Sequence, residues 1–290
     1  MQLDRAMIEE VVRRALEEDL GGAGDLTSQL CVPESRRSSA RILAREPGII
    51  AGLPVAAACF RAVDEAVELE LRREDGDEVA AGDVVLSVAG SSAALMAAER
   101  SALNFMQRLS GIATRTSEFV AAVGASGARV FDTRKTTPGL RLLEKYAVRV
   151  GGGQNHRVGL FDQVMIKENH VALAAPTPYE EVVKAAVDRS GGPVVAEARD
   201  IAEAISAVRA GAAVVMLDNI APGDALRCAV ADVRAEAARL GRSVEIESSG
   251  GVTLDNVRGY AECGVDRVSV GALTHSVRSL DLSMLVEEVS

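Results

Sequence analysis

From residue 128 onward the chain alternates short apolar runs with helix-patterned stretches, and that alternation restricts it to parallel α/β architectures. The predicted strands are 129–131, 163–166, 193–196, 213–217, 244–246 and 266–270. Between them apolar residues recur at i, i+3, i+4 and i+7, as in Ile201, Ala204, Ile205 and Val208. Gly191, Gly211, Gly241 and Gly264 stand where each helix hands back to a strand, the place of a left-handed cap residue. Six predicted strands are fewer than the eight of the usual barrel. The expectation is therefore a smaller or incomplete parallel βα barrel.

A polar or small residue closes nearly every predicted strand: Asp132-Thr133-Arg134-Lys135, Lys167-Glu168-Asn169-His170, Glu197, Asp218-Asn219, Glu247-Ser248-Ser249-Gly250-Gly251, and Gly271 with His275. In parallel α/β proteins ligands bind at the carboxyl ends of strands, and in a barrel those ends share one rim. One such residue is a loop; a set in register is a site. The Ser248–Gly251 segment opens a predicted helix, and small residues there let backbone N–H groups approach a phosphate.

The charge distribution narrows the ligand. The chain has 32 Lys and Arg against 42 Asp and Glu, a net −10, which speaks against nucleic acid or an anionic membrane as partner. Three Tyr, five Phe and no Trp are too few for a base-stacking platform. Yet residues 129–170 carry eight basic side chains and four acids, with two of the three histidines. A basic island in an acidic chain suits a compact, multiply charged anion. Lysine is scarce: only Lys135, Lys145, Lys167 and Lys184. A lysine kept where arginine is the habit marks a place that a planar fork does not fit. Lys145 and Lys184 fall in helical patterns and are read as solvated; Lys135 and Lys167 fall at strand ends.

Several classes fall away. The glycine clusters at 21–24 and 151–153 lack a nucleotide-binding frame, and no H-E-x-x-H or C-x-x-C occurs. His170 reads as a structural, hydrogen-bonded residue, whereas His156 beside Arg157 reads as part of a site. The longest uncharged stretch, Val84 to Ala98, is short of the ~18–20 residues of a membrane span. Acids near the N-terminus argue against a signal peptide, and Cys31, Cys59, Cys228 and Cys263 are scattered. A cytoplasmic protein with reduced thiols is the expectation.

The first part of the chain is different. Val67 to Leu71 alternates with period two, and a turn and strand follow in EDGDEVAAGDVVLSV, which predicts a small antiparallel sheet. This stretch looks like a lipoyl or biotinyl carrier hairpin, but such a carrier needs a modifiable lysine and none precedes Lys135. A helical stripe of Leu95, Ala98, Ala102, Met106 and Leu109 runs from Ala93 towards Val123, with an interruption expected near Gly111.

Together DTRKTTPGLRLLEKYAV (132–148), GGGQNHRVGLFDQVMIKENH (151–170) and ESSGGVTLDNV (247–257) resemble the quinolinate phosphoribosyltransferase family, the carboxylating nicotinate-nucleotide pyrophosphorylases. EEDLGGAGDLTS (17–28) and ERSALNFMQRLSGIAT (99–114) fit the same family, so the resemblance spans nearly the whole chain.

The resemblance implies an incomplete six- or seven-stranded parallel βα barrel over 114–275. It also implies an N-terminal α/β sandwich domain over 1–113, closed by the tail 276–290. It implies transfer of the phosphoribosyl group of phosphoribosyl pyrophosphate (PRPP) to quinolinate with decarboxylation, giving nicotinate mononucleotide, pyrophosphate and carbon dioxide, with magnesium. Carried over by motif, quinolinate would meet Arg108, Arg134, His156, Arg157 and Lys167. PRPP and magnesium would meet Thr133, Lys135, Glu197, Asp218, Ser249, Gly250, Gly251, the turn Val270-Gly271-Ala272, and His275. Glu197 and Asp218 are the metal candidates, and Lys135, Lys167, Glu197 and Asp218 the catalytic set. The family is dimeric at least, with Arg108 completing the neighbour's pocket; as an exposed arginine it should be removable without harm to the fold. Two alternatives stay open: a paralogue of the same fold associated with molybdate-transport operons, and a barrel enzyme acting on another phosphorylated anion.

Overall fold

The structure, a computed structural model, describes residues 3–287. In chain order the elements are α1 (Arg5–Leu20), α2 (Leu26–Cys31), β1 (Arg37–Ala44), β2 (Gly48–Ile49), α3 (Leu53–Val63), β3 (Glu68–Leu71), β4 (Glu78–Val79), β5 (Val84–Ser91) and α4 (Ser92–Val123). After these come β6 (Arg129–Phe131), α5 (Arg141–Val150), β7 (Met165–Ile166), α6 (Glu168–Leu173), α7 (Tyr179–Ser190), β8 (Val195–Ala198), α8 (Ile201–Ala210) and β9 (Val214–Asp218). The last are α9 (Asp224–Arg239), β10 (Glu245–Ser249), α10 (Leu254–Glu262), β11 (Arg267–Ser269), α11 (Ala272–His275) and β12 (Leu282–Glu287). No helix among the described residues is long and apolar enough to cross a membrane.

Two compact units divide the chain. The first takes in the chain up to Ser117, Thr136–Gly152, and the chain from Ser276 on; the second is Glu118–Lys135 with Gly153–His275. The first unit holds an antiparallel sheet in the order β12-β1-β5-β3. In β1, Ala40, Ile42 and Ala44 are fully buried at every second position, the pattern of a strand with one face in the core. The tail strand β12 pairs along β1 from Ser39 opposite Glu287 to Ala44 opposite Leu282. Helix α3 carries Pro54 near its start, and the Asp75 carboxylate caps it by accepting N–H bonds from Gly52 and Leu53.

Two sequence expectations fail in this unit. Helix α4 is not interrupted at Gly111. A Cβ there would lie 2.3 Å from the Arg278 carbonyl oxygen, so the glycine admits the returning tail backbone rather than breaking the helix. The segment Thr136–Gly152 lies in the first unit. Its helix α5 is tied there by Tyr146, whose hydroxyl donates to Asp75 at 2.8 Å, and by Gly151, where a Cβ would come 2.3 Å from the Ala113 carbonyl oxygen. Lys145 on α5, read from sequence as solvated, is fully buried. Its neighbours Leu143, Glu144, Ala147 and Val148 are buried too, so α5 is enclosed on more than an apolar stripe.

The second unit is a six-stranded sheet in the order β6-β11-β10-β9-β8-β7, parallel throughout, with Phe131 and Gln154 forming one more parallel bridge beside β6. This is the expected incomplete βα barrel. Gly191, Gly211, Gly241 and Gly264 all have positive φ, as predicted for helix caps. Inside the barrel Met165, Val195, Val214 and Met216 form a buried cluster. Near the strand starts Glu245 bonds both Arg129 and Arg267, whose guanidiniums lie 5.5 and 4.9 Å from the Phe131 ring centre.

The strand boundaries differ from the expectation in one informative way. β8, β9 and β10 run on to Ala198, Asp218 and Ser249, so Glu197, Asp218, Glu247, Ser248 and Ser249 lie on strands rather than past them. A reader of sequence ends a strand at its first charge; here alternate positions near the carboxyl ends face the site, where polar side chains are wanted.

Candidate active site

A cavity of about 550 Å³ opens at the carboxyl ends of the barrel strands, within the usual size for a small-molecule site. Its walls come from Thr133, Arg134 and Lys135 after β6, His156 and Arg157 before β7, and Lys167 after β7. Asp218 and the loop Ser249–Thr253 form the opposite side, and Gly271, Ala272 and His275 complete it. Met165 on β7 with Lys167 just past it, and Met216 with Asp218 on β9, stand two residues apart, so each pair sets a polar rim above an apolar floor.

One side is strongly cationic. Arg157 is 9 % exposed; burial, together with the nearby positive charge of Arg134, holds its guanidinium below its usual range. Its Nη1 donates to the Gln163 carbonyl at 3.2 Å. The His156 and Arg157 backbone is fixed by Asp132, whose fully buried carboxylate accepts the His156 N–H at 2.8 Å and an Asn155 amide N–H at 2.7 Å. Lys135 lies against Gly271, where a Cβ would come 3.2 Å from Lys135 Cδ and 3.1 Å from the His275 ring. Gly271 thus allows lysine and imidazole to converge. Thr274 holds the turn by donating its hydroxyl proton to the Lys135 carbonyl at 2.7 Å.

The other side is acidic. Lys167 Nζ pairs with Glu197 Oε2 at 2.5 Å, and Glu197 is nearly buried. Asp218 is raised above its ordinary range, first by burial and then by the charge of Glu197, with Lys167 opposing. Next to it Gly250 has φ +94, and a Cβ there would lie 2.2 Å from Asn219 Oδ1, so glycine is required. Among the described residues no three His, Cys, Asp or Glu gather as a metal cage. Two carboxylates, one already paired with a lysine and the other penalised for its charge, fit a magnesium ion that arrives with substrate phosphates.

The pocket gathers most of the predicted residues. Glu197 acts on its wall through Lys167, and Val270 is fully buried rather than lining it. Arg108 does not line this pocket. It is 26 % exposed and bonds through Nε and Nη2, at 3.1 and 2.8 Å, to Oε1 of the fully buried Glu144. Its expected harmless removal therefore does not hold, because Glu144 depends on it. His170 accepts the Lys167 N–H at 2.9 Å, the structural role read from sequence. Sequence reasoning left Met165, Met216 and Ser269 out of the site. Stepping back two residues along β7 and β9 from Lys167 and Asp218 would have found the methionines.

The fold and rim define an incomplete parallel βα barrel with a phosphate-friendly loop and a cationic wall. The chain belongs to the quinolinate phosphoribosyltransferase family: the family's C-terminal domain matches residues 112–285 and its N-terminal domain residues 25–110. The probable nicotinate-nucleotide pyrophosphorylase (carboxylating) of Bacillus subtilis is 41% identical over 284 residues, covering 97% of this chain and 94% of its own. A mitochondrial quinolinate phosphoribosyltransferase (decarboxylating) of Nicotiana tabacum is 40% identical, covering 96% and 81%. The crystal structure of NadC from Streptococcus pyogenes matches with a TM-score of 0.92 at 36% identity over the full length of both chains.

Proposed function

We propose that this chain is a decarboxylating quinolinate phosphoribosyltransferase of de novo NAD biosynthesis, a pentosyltransferase that converts quinolinate and PRPP to nicotinate mononucleotide, pyrophosphate and carbon dioxide. The observation that carries the reading is the buried guanidinium of Arg157 facing the positive charge of the more exposed Arg134 on the same pocket wall. Two guanidiniums that disfavour each other in a closed pocket are relieved by a dianion, and planar forks match carboxylates. Met165 and Met216 give the planar ring an apolar floor.

In the reaction the ribose C1–pyrophosphate bond breaks and a bond from the pyridine nitrogen to C1 forms. The C–CO2 bond then breaks, carbon dioxide leaves, the pyridinium nitrogen stabilises the electron pair left on the adjacent carbon, and that pair takes up a proton. Glu197 and Asp218 offset the positive charge that develops on the sugar and hold its hydroxyls. Lys135, His275 and the Ser249–Gly251 loop hold the phosphates, with Thr133 and the turn at Gly271-Ala272 alongside. Lys167 turns between Glu197 and the substrate carboxylate. Magnesium, held by PRPP with Asp218 and Glu197, would neutralise the leaving pyrophosphate. The chemistry is mainly positioning.

Arg108 of a second copy would supply the cation for the far end of the dicarboxylate, which makes the working form at least a homodimer. A cytoplasmic location fits four unpaired cysteines, with Cys59 pushed up to about 12 by burial. The decisive assay is pyrophosphate release from quinolinate and PRPP with and without magnesium. Turnover of nicotinate, which lacks the second carboxylate, equal to that of quinolinate would sink the dicarboxylate pocket. For the shared site, heterodimers of Arg108→Gln with Lys167→Ala should recover up to about half of one wild-type dimer's activity, because one pocket collects both defects. Verified heterodimers without recovery would place each pocket on one chain.

A further inference from the structure

Glu247 on β10 is fully buried under the cationic wall, and none of the roles above uses it. Its Oε1 accepts the Ser269 hydroxyl and lies 3.4 Å from Nε2 of His156, an ion contact without hydrogen-bond geometry; Oε2 has no hydrogen-bond partner. On the far side of the imidazole, Nδ1 accepts the backbone N–H of Arg157 at 2.8 Å. A nitrogen that accepts carries no proton, so the ring proton sits on Nε2, facing the carboxylate. The Phe131 ring packs edge-on at 6.3 Å, which leaves the imidazole little freedom to turn.

We propose that Glu247 is a positioning residue: it holds His156 as the Nε2–H tautomer and, through Nδ1, fixes the backbone of Arg157 beneath the dicarboxylate. His156 is then a strut between the Glu247 carboxylate and the Arg157 backbone, with Nε2 turned towards the carboxylate. The cation that meets the carboxylate is Arg157. An unpartnered carboxylate oxygen in a closed site is costly, and orienting a binding arginine is a reason to keep it. The inference rests on the quinolinate reading for its kinetic consequence and on geometry alone for the tautomer.

The test joins kinetics to a spectrum. Glu247→Gln keeps the shape but offers an amide N–H where the carboxylate accepted. It should raise KM for quinolinate on the order of tenfold, the usual scale for losing the group that fixes a histidine, and leave KM for PRPP within about twofold. In ¹⁵N-histidine spectra, assigned by substituting each histidine, wild-type His156 should show the Nε2–H tautomer and the variant should lose it. Adding Glu247→Gln to His156→Asn should cost little more than His156→Asn alone. An unchanged quinolinate KM, additive losses, or a wild-type His156 protonated on Nδ1 would overturn the proposal. If Glu247→Gln does not fold, Ser269→Ala removes a donor to the same oxygen and should shift quinolinate KM in the same direction; no shift there overturns it equally. A wild-type enzyme inert towards quinolinate would defeat the functional reading instead, while the spectrum would still decide the tautomer.

Discussion

Truncating Arg108 should destabilise the protein as well as impair binding, and the size of the loss follows from Glu144. That carboxylate has no solvent exposure. It accepts two bonds from Arg108, at 3.1 and 2.8 Å, on one oxygen, and the Thr137 N–H at 3.2 Å on the other. Arg108→Ala strips the first oxygen of both bonds and leaves a charge enclosed with one backbone donor. Breaking a buried pair from one side costs about 3–5 kcal/mol. Arg108 is itself 26 % exposed, so water replaces part of the interaction, and the loss belongs at or below the low end, about 2–3 kcal/mol. At about 2–4 °C per kcal/mol for chains of this size, Tm should fall by roughly 4–12 °C, measured by circular dichroism because the chain has no Trp. Arg108→Ala with Glu144→Gln should regain at least half of the loss, since the stranded charge is gone. A single variant melting within about 1 °C of wild type, or a double variant no better than the single, would refute the reasoning.

Lys135→Arg and Lys167→Arg should each cut kcat/KM at least about tenfold although charge is kept, because Lys135 is pressed against Gly271 and Lys167 reaches Glu197 end-on; exposed Lys184→Arg should be silent, and equal kinetics for all three would show the lysines to be accidental. The acid limb of kcat/KM should lie above the ordinary aspartate range, since falling pH protonates Asp218 early. Carboxyl NMR of Asp218 should move its titration up in Lys167→Ala and down in Glu197→Gln, and no movement would dissociate the three groups. Gly111→Ala should cost about 1–3 kcal/mol in thermal unfolding, because its Cβ meets backbone at Arg278 and Ser279 that cannot turn away.

The barrel was legible because its strands and helices carry different periods and its cap glycines have the positive φ that glycine supplies. The rim was legible because Lys135, Lys167, Asp218 and Ser249–Gly251 end their strands within specific motifs. What escaped depended on partners distant in sequence. Gly111 reads as a helix breaker until the tail 167 residues on is seen against it. Glu144 reads as a surface acid until Arg108, 36 residues earlier, closes over it. Glu247 and Ser269 carry no motif of their own, and only the alignment of β10 beside β11 sets one against the other.

Lys145 extends the lysine argument further than the sequence could take it. Its place in a helical pattern implied solvent, yet it is fully enclosed, with buried residues on both sides of it along α5. The chain carries arginine almost everywhere a cation meets water, so a lysine kept in a closed site reflects its slender stem and compact head. Lys145→Arg adds a planar fork to a fully buried site, and overpacking of that kind costs about 1–3 kcal/mol. At about 2–4 °C per kcal/mol, Tm should drop by roughly 2–12 °C, against no change for Lys184→Arg. Lys145→Met, close in length and without charge, separates shape from electrostatics. If fit is what retains the lysine, the methionine variant should melt above the arginine variant. Should Lys145→Arg melt with wild type, the rarity of lysine in this chain does not reflect fit, and only the kinetics of Lys135→Arg and Lys167→Arg bear on why those two are lysine.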